Sequence, residues 1–422
     1  MKPSPSTTLT RTRRGGKQCN EEETPTPATT TPAVTTPVKT TPAVTTPAKT
    51  VSTKPVKIGV IQDWSGPGAL AGYLSDAVIK FAEWYFNEKQ GGIQVGDVRR
   101  PVEFIKYDNK GQVAEAAAGA KKALLDGCVA VTQGGISNQF AFPIADVTDP
   151  ANVLYSTYLT DESIFEDYKW TVGSFFNNKL RAELCAELVV KKLNAKTVGI
   201  LCHQLEVDRL MMKNVINKIQ ALDPQVKVVY EEYYPLDARD LSPYLTKVKY
   251  EKSDVLIALS TQEAYVNIAR QSMELGGLDT TKFIALVEAA GFPNFEKMKG
   301  TQGWYVPQVY LPGYGASGAA EHEALWGEKC AADPGWCKKY SPSGSKPLPT
   351  QPIQWNPIMV VVKAIEIAGT DDPAAVARAA RSGKLEFDSP LGYLNIGTDG
   401  LSNIPGFYTQ VQGRTDSHRL AA

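Results

Sequence analysis

Short apolar runs alternate along this chain with longer segments whose apolar residues recur at helical spacing. The first such pair is residues 58–61, a continuous apolar run, followed by residues 71–89, where Val78, Phe81 and Tyr85 fall on one helical face. Continuous apolar runs are typical of parallel strands that helices cover on both faces. The alternation therefore predicts an α/β fold with parallel sheets.

The alternation breaks near residue 173 and restarts with a helical pattern at residues 180–193 and an apolar run at 198–201. With 422 residues, the chain also exceeds the length at which a single hydrophobic core keeps growing. We therefore predict two doubly wound lobes. Lobe 1 comprises residues 56–174 and 309–383, lobe 2 comprises residues 175–308 and 384–412, and residues 413–422 form a tail.

The first 55 residues have a different composition. Between Glu21 and Lys54 most residues are Thr, Pro, Ala, Val or Lys, and residues 30–39 recur almost unchanged as residues 40–49. Frequent proline and few large apolar side chains favour an extended, solvated linker over a packed core. We predict that residues 1–55 are a disordered Thr/Pro-rich tether in front of the two lobes.

Cys19 precedes this tether and is followed by Asn20 and three glutamates. It stands where the lipid-bearing cysteine of a bacterial surface lipoprotein would stand, although residues 16–18 are not the small and apolar sequence expected there. We hypothesise that residues 1–18 misrepresent the true start and that the mature protein is lipid-anchored at Cys19, outside the cytoplasm. The alternative is a cytoplasmic protein with a disordered tail.

Two strand ends carry polar side chains that suit a small ligand. Glu288 follows the apolar run 283–287, and Ser137 follows Gly134 and Gly135 after the apolar run 129–132. Open α/β sheets bind their ligands at the carboxyl ends of the strands. A serine and backbone N–H groups at a helix N-terminus suit a carboxylate, and a lone glutamate suits an ammonium group. Together these strand ends predict a protein that binds a zwitterion.

Composition and motifs argue against several other functions. The 45 basic residues balance the 45 acidic ones, so no net field attracts nucleic acid. The sequence has no phosphate-binding Gly-x-x-x-x-Gly-Lys-Ser/Thr run, and His322-Glu323 lacks the second histidine of a zinc-binding helix. We therefore expect no cofactor, no metal and no enzyme activity. In the alternative of a cleft enzyme, His203 would be the base.

Several short motifs follow the predicted strands and helices in a fixed order. They are Ser65-Gly66-Pro67, Asn87-Glu88-Lys89-Gln90-Gly91-Gly92-Ile93, Tyr107-Asp108-Asn109, Glu274-Leu275-Gly276-Gly277-Leu278 and Phe387-Asp388-Ser389-Pro390-Leu391-Gly392. By this order and spacing, the chain from about residue 56 to residue 412 resembles the type I periplasmic solute-binding proteins. The likeness is to the branch that binds branched-chain amino acids and serves ABC importers.

The resemblance implies two α/β lobes joined by three crossings, with the ligand held in the cleft between them. It implies that Ser137 contacts an amino acid's carboxylate and that Tyr158 and Thr160 lie near a second carboxylate contact. It also implies that Glu288, from the other lobe, takes the ammonium group.

Two further residues are candidates for the cleft, each with a plainer alternative. Ser65 either lines the cleft or shapes the first turn, and His203 either reaches the cleft or is a polar loop residue. The chain also departs from its resemblance at Ala71, where relatives often have an aromatic residue, and at Val207-Asp208, where many have Tyr-Gly. These departures leave the ligand open.

The function implied by the resemblance is that of an extracytoplasmic substrate-binding protein of an ABC importer. Such a protein would act as a monomer, capture an amino acid or similar small carboxylate by hinge closure, and pass it to a membrane permease. The alternatives are a ligand-sensing ectodomain and a protein that binds an amide, urea or an aromatic acid.

The cysteines have no spacing typical of zinc or thioredoxin chemistry. Cys330 and Cys337 either form a local disulfide in an oxidising compartment or remain two free thiols on a loop. Three other cysteines have apolar neighbours and are expected to be small core residues: Cys128, Cys185 and Cys202.

Overall fold

The computed structural model describes residues 52–412 except 67, 136, 236, 288–294 and 342–343, without the side chains of 206, 207, 262, 263 and 296. Cys19, nearly all of the predicted tether and the tail 413–422 therefore lie outside the described residues. Within the described part of the chain, no helix is both long and apolar enough to cross a membrane.

Strands and helices alternate through the described residues. The strands are β1 (Val56–Gln62), β2 (Ile93–Val95), β3 (Val98–Arg100), β4 (Val102–Asp108), β5 (Ala130–Gln133), β6 (Leu154–Thr157), β7 (Thr171–Gly173), β8 (Thr197–His203), β9 (Lys227–Tyr234), β10 (Val255–Leu259), β11 (Lys282–Ala285), β12 (Tyr305–Gln308), β13 (Glu386–Ser389), β14 (Gly392–Asn395) and β15 (Phe407–Gln410). The α-helices are α1 (Ala69–Glu83), α2 (Val113–Leu125), α3 (Ala141–Thr148), α4 (Ser163–Asp167), α5 (Asn178–Glu187), α6 (Glu206–Leu222), α7 (Ser242–Glu251), α8 (Gln262–Leu275), α9 (Ala319–Ala332), α10 (Pro334–Tyr340), α11 (Thr350–Ala368) and α12 (Pro373–Ala380). A 3₁₀ turn, Asn138–Phe140, runs directly into α3, and π-helical turns extend α1 and α5.

The first sheet has the strand order β4-β1-β5-β6-β7, and every neighbouring pair is parallel. On β1, Val60 packs in a core with residues of α1 and α11, while its neighbour Ile61 packs in a separate core with residues of α2 and α3. Because successive side chains of a strand point to opposite faces, helices cover both faces of this sheet. That is why residues 58–61 of β1 form a continuous apolar run.

The second sheet has the order β15-β12-β11-β10-β8-β9 and is parallel except for β15, which pairs antiparallel with β12. Ile200 and Leu201 of β8 again pack in two separate cores, one on each face. The two sheets, parallel except at β15 and covered by helices on both faces, confirm the predicted α/β fold with two lobes.

Three connections join the two lobes. The chain leaves the first sheet after β7 and enters α5, returns after β12, and crosses again just before β15. The first connection contacts the chain just before the third one, because Ser402 Oγ donates to the Phe175 carbonyl at 2.6 Å and Asn177 Nδ2 donates to the Ser402 carbonyl at 3.3 Å. This arrangement is the predicted hinge of three crossings.

The segment 384–412, which the sequence assigned to lobe 2, is divided between the two cores. Strands β13 and β14 pair only with each other, and Leu385, Leu394 and Ile404 pack in the core that contains β1. Of this segment, β15 joins the second sheet. We infer that lobe 1 extends to about residue 404 and that lobe 2 regains the chain at β15.

One histidine lies inside the core of the first lobe. The ring of His322, on α9, lies 5.3 Å from Phe81, 5.9 Å from Trp326 and 5.4 Å from Trp355, centroid to centroid, and is only 4% exposed. Its Nε2 is buried without a hydrogen-bond partner among the described residues. Burial lowers the pKa of His322 to about 3, so the ring is neutral in the folded protein at ordinary pH.

Candidate functional site

Polar side chains end neighbouring strands of the first sheet. Gln62, Gln133 and Thr157 are the last residues of β1, β5 and β6, and all three are fully buried. Gln62 Nε2 donates to Gln133 Oε1 at 3.2 Å, and Thr157 Oγ1 donates to the Gln133 carbonyl at 2.7 Å. Because these strands are parallel, the residues and the loops that follow them form one edge, where open α/β sheets bind ligands.

The loop after β5 begins with two glycines whose conformation requires glycine. Gly134 and Gly135 have φ of +118° and +99°, a region that L side chains rarely adopt. A Cβ on Gly134 would overlap the Tyr155 hydroxyl. A Cβ on Gly135 would lie 2.6 Å from Asn109 Nδ2 and 2.8 Å from Asp63 Oδ2. The loop therefore passes closer to its polar neighbours than any side chain would allow.

Ser137 follows these glycines and precedes the helical segment formed by the 3₁₀ turn and α3. It has an extended backbone with φ −132° and ψ 139°, and its side chain makes no capping hydrogen bond to the turn. The hydroxyl oxygen of a serine at this position usually accepts a hydrogen bond from a backbone N–H of the first helical turn. Here the half-buried hydroxyl makes no such bond. It lies at the N-terminal end of the helical segment, where the helix dipole favours negative charge. The arrangement suits a carboxylate.

The structure places the predicted residues Tyr158 and Thr160 beside this loop. The Tyr158 hydroxyl accepts from Gln62 Nε2 at 2.8 Å and donates to the Gly135 carbonyl at 2.9 Å, and burial raises its pKa to about 12. The Thr160 N–H donates to Asn138 Oδ1 at 3.0 Å. The hydroxyl of Tyr158 is thus occupied within the protein, and its half-buried ring packs against both cores of the first lobe.

Ser65 has a partner of its own. Its hydroxyl donates to Asp108 Oδ2 at 2.6 Å, and the Trp64 and Lys110 N–H groups donate to the other carboxylate oxygen at 3.0 and 2.9 Å. Partial burial alone would raise the pKa of Asp108, but these hydrogen bonds hold it below the usual value. Of the two roles considered for Ser65, its contacts are those of a residue that shapes the first turn.

In the second lobe, His203 ends β8 and has protein partners at both ring nitrogens. The Thr261 N–H donates to its Nε2 at 3.2 Å, and its Nδ1 lies 3.3 Å from Asp208 Oδ2. Since Nε2 accepts a hydrogen bond, the proton of the neutral ring sits on Nδ1, facing the carboxylate. His203 therefore links the first turn of α6 to the loop after β10. Neither nitrogen is left to act as a base.

Glu288, the predicted ammonium contact, lies outside the described residues. The chain that leads to it is firmly held. The buried Tyr265 hydroxyl donates to the Ala258 carbonyl at 2.9 Å and accepts from the Leu286 N–H at 3.2 Å, while Arg181 Nη1 donates to the Leu286 carbonyl at 3.0 Å. These contacts fix the end of the strand-like segment just before Glu288.

Four polar residues of the first-lobe edge were missed by the sequence analysis although they are completely buried: Gln62, Asp63, Asn109 and Gln133. A usable signal was present, because each of these residues ends a strand or directly follows one. Applying the strand-end rule to every predicted strand, instead of only to those followed by small residues, would have found them.

Five cysteines lie among the described residues, and none of them ends a strand of the first sheet. Cys330 on α9 and Cys337 on α10 are joined by a disulfide, with Cα atoms 4.7 Å apart. Cys128, Cys185 and Cys202 are buried free thiols whose pKa values burial raises. Among the described residues, no group of three or more His, Cys, Asp or Glu side chains is arranged to hold a metal ion.

A family model described as "Periplasmic binding protein" matches residues 55–415. The chain is also 23% identical over 368 residues to the leucine-, isoleucine-, valine-, threonine- and alanine-binding protein of Pseudomonas aeruginosa, which covers 86% of this chain and 91% of that protein. The matched residues include both lobes and the candidate site.

Two solved structures share the fold. A leucine-binding protein from Thermotoga maritima has 21% identity and a TM-score of 0.69, over 85% of this chain and 95% of the other. A solute-binding protein of an ABC transporter from R. palustris, in complex with 4-hydroxybenzoate, has 19% identity and a TM-score of 0.71, over 86% of this chain and 94% of the other. One relative binds an aliphatic amino acid and the other an aromatic acid.

Proposed function

Because this chain belongs to the periplasmic binding protein family, we propose that it captures an amino acid or a similar small carboxylic acid between its two lobes. As a member of that family it is a solute-binding protein of the ABC transporter type, which acts outside the cytoplasm and delivers a small molecule to a permease. Its relatives are binding proteins and not enzymes. The class of ligand is inferred below from the residues of the candidate site.

The observation that carries the proposal is that the Ser137 hydroxyl does not cap the helical turn that follows it. Its hydroxyl makes no capping bond, and it stands on a glycine loop at the N-terminal end of the helical segment 138–148. A carboxylate there would accept from the hydroxyl and from the first N–H groups of the helix, with the helix dipole favouring its charge. The first lobe would therefore bind the ligand's acid group.

The second lobe would complete the site when the hinge closes. We propose that Glu288 takes the ammonium group of an amino acid, since Leu286 is anchored by Tyr265 and Arg181 two residues before it. Only the closed form then pairs both charges. Micromolar affinity corresponds to about 8 kcal/mol, which two desolvated charged contacts and cleft burial can supply.

An aromatic carboxylic acid is the second candidate. Tyr158 has its hydroxyl engaged by Gln62 and the Gly135 carbonyl, so it offers a ring beside the proposed carboxylate position. Offset or edge-on ring contacts would stabilise an aromatic ligand there. The R. palustris relative, whose ligand is 4-hydroxybenzoate, supports this reading. An aromatic acid would need Ser137 but would have no ammonium group for Glu288.

We also propose that a lipid on Cys19 anchors the protein to the membrane. Cys19 stands in front of the Thr/Pro-rich segment, in a family whose members work outside the cytoplasm. A lipid on this cysteine would hold the protein near its permease, and mass analysis of the native protein tests it.

Substituting Ser137 tests the proposed carboxylate site. Ser137→Ala should weaken the ligand's affinity about 10- to 100-fold, because a hydrogen bond to a charged group contributes about 1.5–3 kcal/mol. The measurement is calorimetric titration with the ligand found by thermal shift in a screen of amino acids, aromatic acids and amides.

The matched control is Ser382→Ala, which removes an exposed serine hydroxyl that bonds to the Ala379 carbonyl at the end of α12. It should leave the affinity unchanged. Equal affinities of wild type and Ser137→Ala would show that the ligand's carboxylate does not bind to this loop.

A further inference from the structure

We propose that Gln133 is the positioning residue of the glycine loop, defined as Gly134, Gly135 and Ser137, and that it couples this loop to helices α1 and α11. The inference rests on the proposed function only in that the glycine loop holds the ligand. Gln133 does not need to contact the ligand. It sets the direction in which the loop leaves strand β5.

The backbone of Gln133 is left-handed, with φ +74°, although it is not glycine. Four other described non-glycine residues have positive φ, and all four are exposed residues outside helices and strands: Lys110, Asn152, Asn194 and Lys252. Gln133 is instead completely buried at the end of a strand. A residue held in this region persists only where its surroundings over-determine it, and such residues cluster at functional sites.

The surroundings of Gln133 do over-determine it. Its carbonyl accepts two hydrogen bonds from β6, and its side chain makes three with other elements of the lobe. The five partners are the Tyr155 hydroxyl at 3.0 Å, Thr157 Oγ1 at 2.7 Å, Gln62 Nε2 at 3.2 Å, Ser75 Oγ at 2.5 Å and the Gln354 carbonyl at 3.3 Å. They come from β1, β6, α1 and α11, so four elements converge on the residue that precedes Gly134.

The chemistry requires a primary amide at this position. Oε1 faces two donors, Gln62 and Ser75, while Nε2 faces the Gln354 carbonyl, an acceptor. A carboxylate of the same length would oppose that carbonyl with a second acceptor, and an aliphatic side chain would remove a hydrogen bond from each of three buried groups. Gln354 Nε2 in turn donates to the Ala71 carbonyl at 3.1 Å, which extends the network to the first turn of α1.

The same network also fixes the loop from its other side. Gln62 Nε2 donates to the Tyr158 hydroxyl, which donates to the Gly135 carbonyl. The Gly134 N–H donates to the Ile61 carbonyl at 2.8 Å. The glycine loop is therefore held through Gln133 before it and through Tyr158 beside it, and these two supports share Gln62.

Gln133→Gly separates positioning from stability. Glycine adopts the left-handed backbone without strain and keeps both carbonyl hydrogen bonds, but it removes the three side-chain bonds. In the full-length protein, we expect the melting temperature to fall, because three buried hydrogen bonds are lost. We expect the affinity for L-leucine to fall about 10- to 100-fold, because small displacements of a binding group have effects of this size. Amide exchange in a peptide covering 134–141 should become faster.

Two further variants make the result decisive. Ser75→Ala removes a single bond to Gln133 and should weaken L-leucine in the same direction by a smaller factor. Gln351→Ala is the matched control, because Gln351 is a fully buried glutamine of α11 that donates to the Tyr340 carbonyl at 3.2 Å and accepts from the Leu348 N–H at 2.7 Å. It should lower the melting temperature without changing L-leucine affinity or exchange in 134–141.

A purely structural role would give a different result. If Gln133→Gly lowers the melting temperature but leaves exchange in 134–141 as in the wild type, the proposal is overturned. If wild type does not bind L-leucine, the aliphatic ligand is rejected, and the exchange experiment alone still decides the role of Gln133.

Discussion

Replacing Gly135 with alanine is expected to weaken ligand binding by at least about 100-fold, the size of effect that misplacement of a binding group produces. The new Cβ would lie 2.6 Å from Asn109 Nδ2 and 2.8 Å from Asp63 Oδ2, on a backbone with φ +99°. Both neighbours are completely buried and have little room to move. The loop must therefore shift, and it carries Ser137 with it. Calorimetric titration of the folded variant measures the loss.

The matched control is Gly127→Ala. Gly127 also has positive φ, +78°, but a Cβ there would meet no atom within 4 Å. This variant incurs a similar backbone penalty at the opposite end of the sheet, between α2 and β5, so it should lose some stability and keep full affinity. If both variants bind the ligand equally well, the close packing of Gly135 does not matter for binding.

Acid should destabilise the protein through His322. The unfolded chain binds a proton on this histidine below pH 6.5, whereas the folded protein, with a pKa of about 3, does not. Above pH 6.5 the histidine is neutral in both states and does not affect stability. As the pH drops from 6.5 toward 3, protonation stabilises only the unfolded chain, so the free energy of unfolding falls. By linkage the loss is about 2 kcal/mol at pH 5 and about 4 kcal/mol at pH 3.

His322→Phe should remove this part of the acid sensitivity. Urea unfolding of the wild type and the variant at pH 8 and pH 5 measures it, since other titrating groups cancel in the comparison. The control is Tyr85→Phe, which alters another ring of the same aromatic cluster without a group that titrates in this range. An identical pH dependence for wild type and His322→Phe would mean that the histidine is accessible to protons in the folded state.

Much of the fold could be predicted because its signals are local. A strand covered by helices on both faces is apolar along its buried stretch, as in residues 58–61 of β1 and all of β10. The apolar residues of the helices between such strands repeat every 3.6 residues. Strands β13 and β14 carry no comparable signal. They are four residues each, pair only with each other, and are fixed by packing on residues far away in sequence. Their lobe could not be read from the sequence alone.

The site was predictable to the level of strand ends and no further. Ser137 was predicted because it follows a strand and two glycines. The roles of Ser65 and Tyr158 depend on partners distant in the sequence: Asp108 for Ser65 and Gln62 for Tyr158. Both hydroxyls are engaged by these partners, which no local pattern shows. Gln133 was missed because its importance lies in a left-handed backbone and five hydrogen bonds that only the tertiary structure brings together.

The most direct measurement is a calorimetric titration of the full-length protein, unfolded and refolded to remove any carried ligand, with two acids and their amides. The pairs are L-leucine with L-leucinamide, and 4-hydroxybenzoate with 4-hydroxybenzamide. The proposed function predicts that at least one acid binds with micromolar affinity and that its amide binds about 100-fold more weakly or not at all, because the amide lacks the charge that Ser137 and the helix N-terminus hold. An amide that binds as tightly as its acid would contradict the carboxylate site in the first lobe.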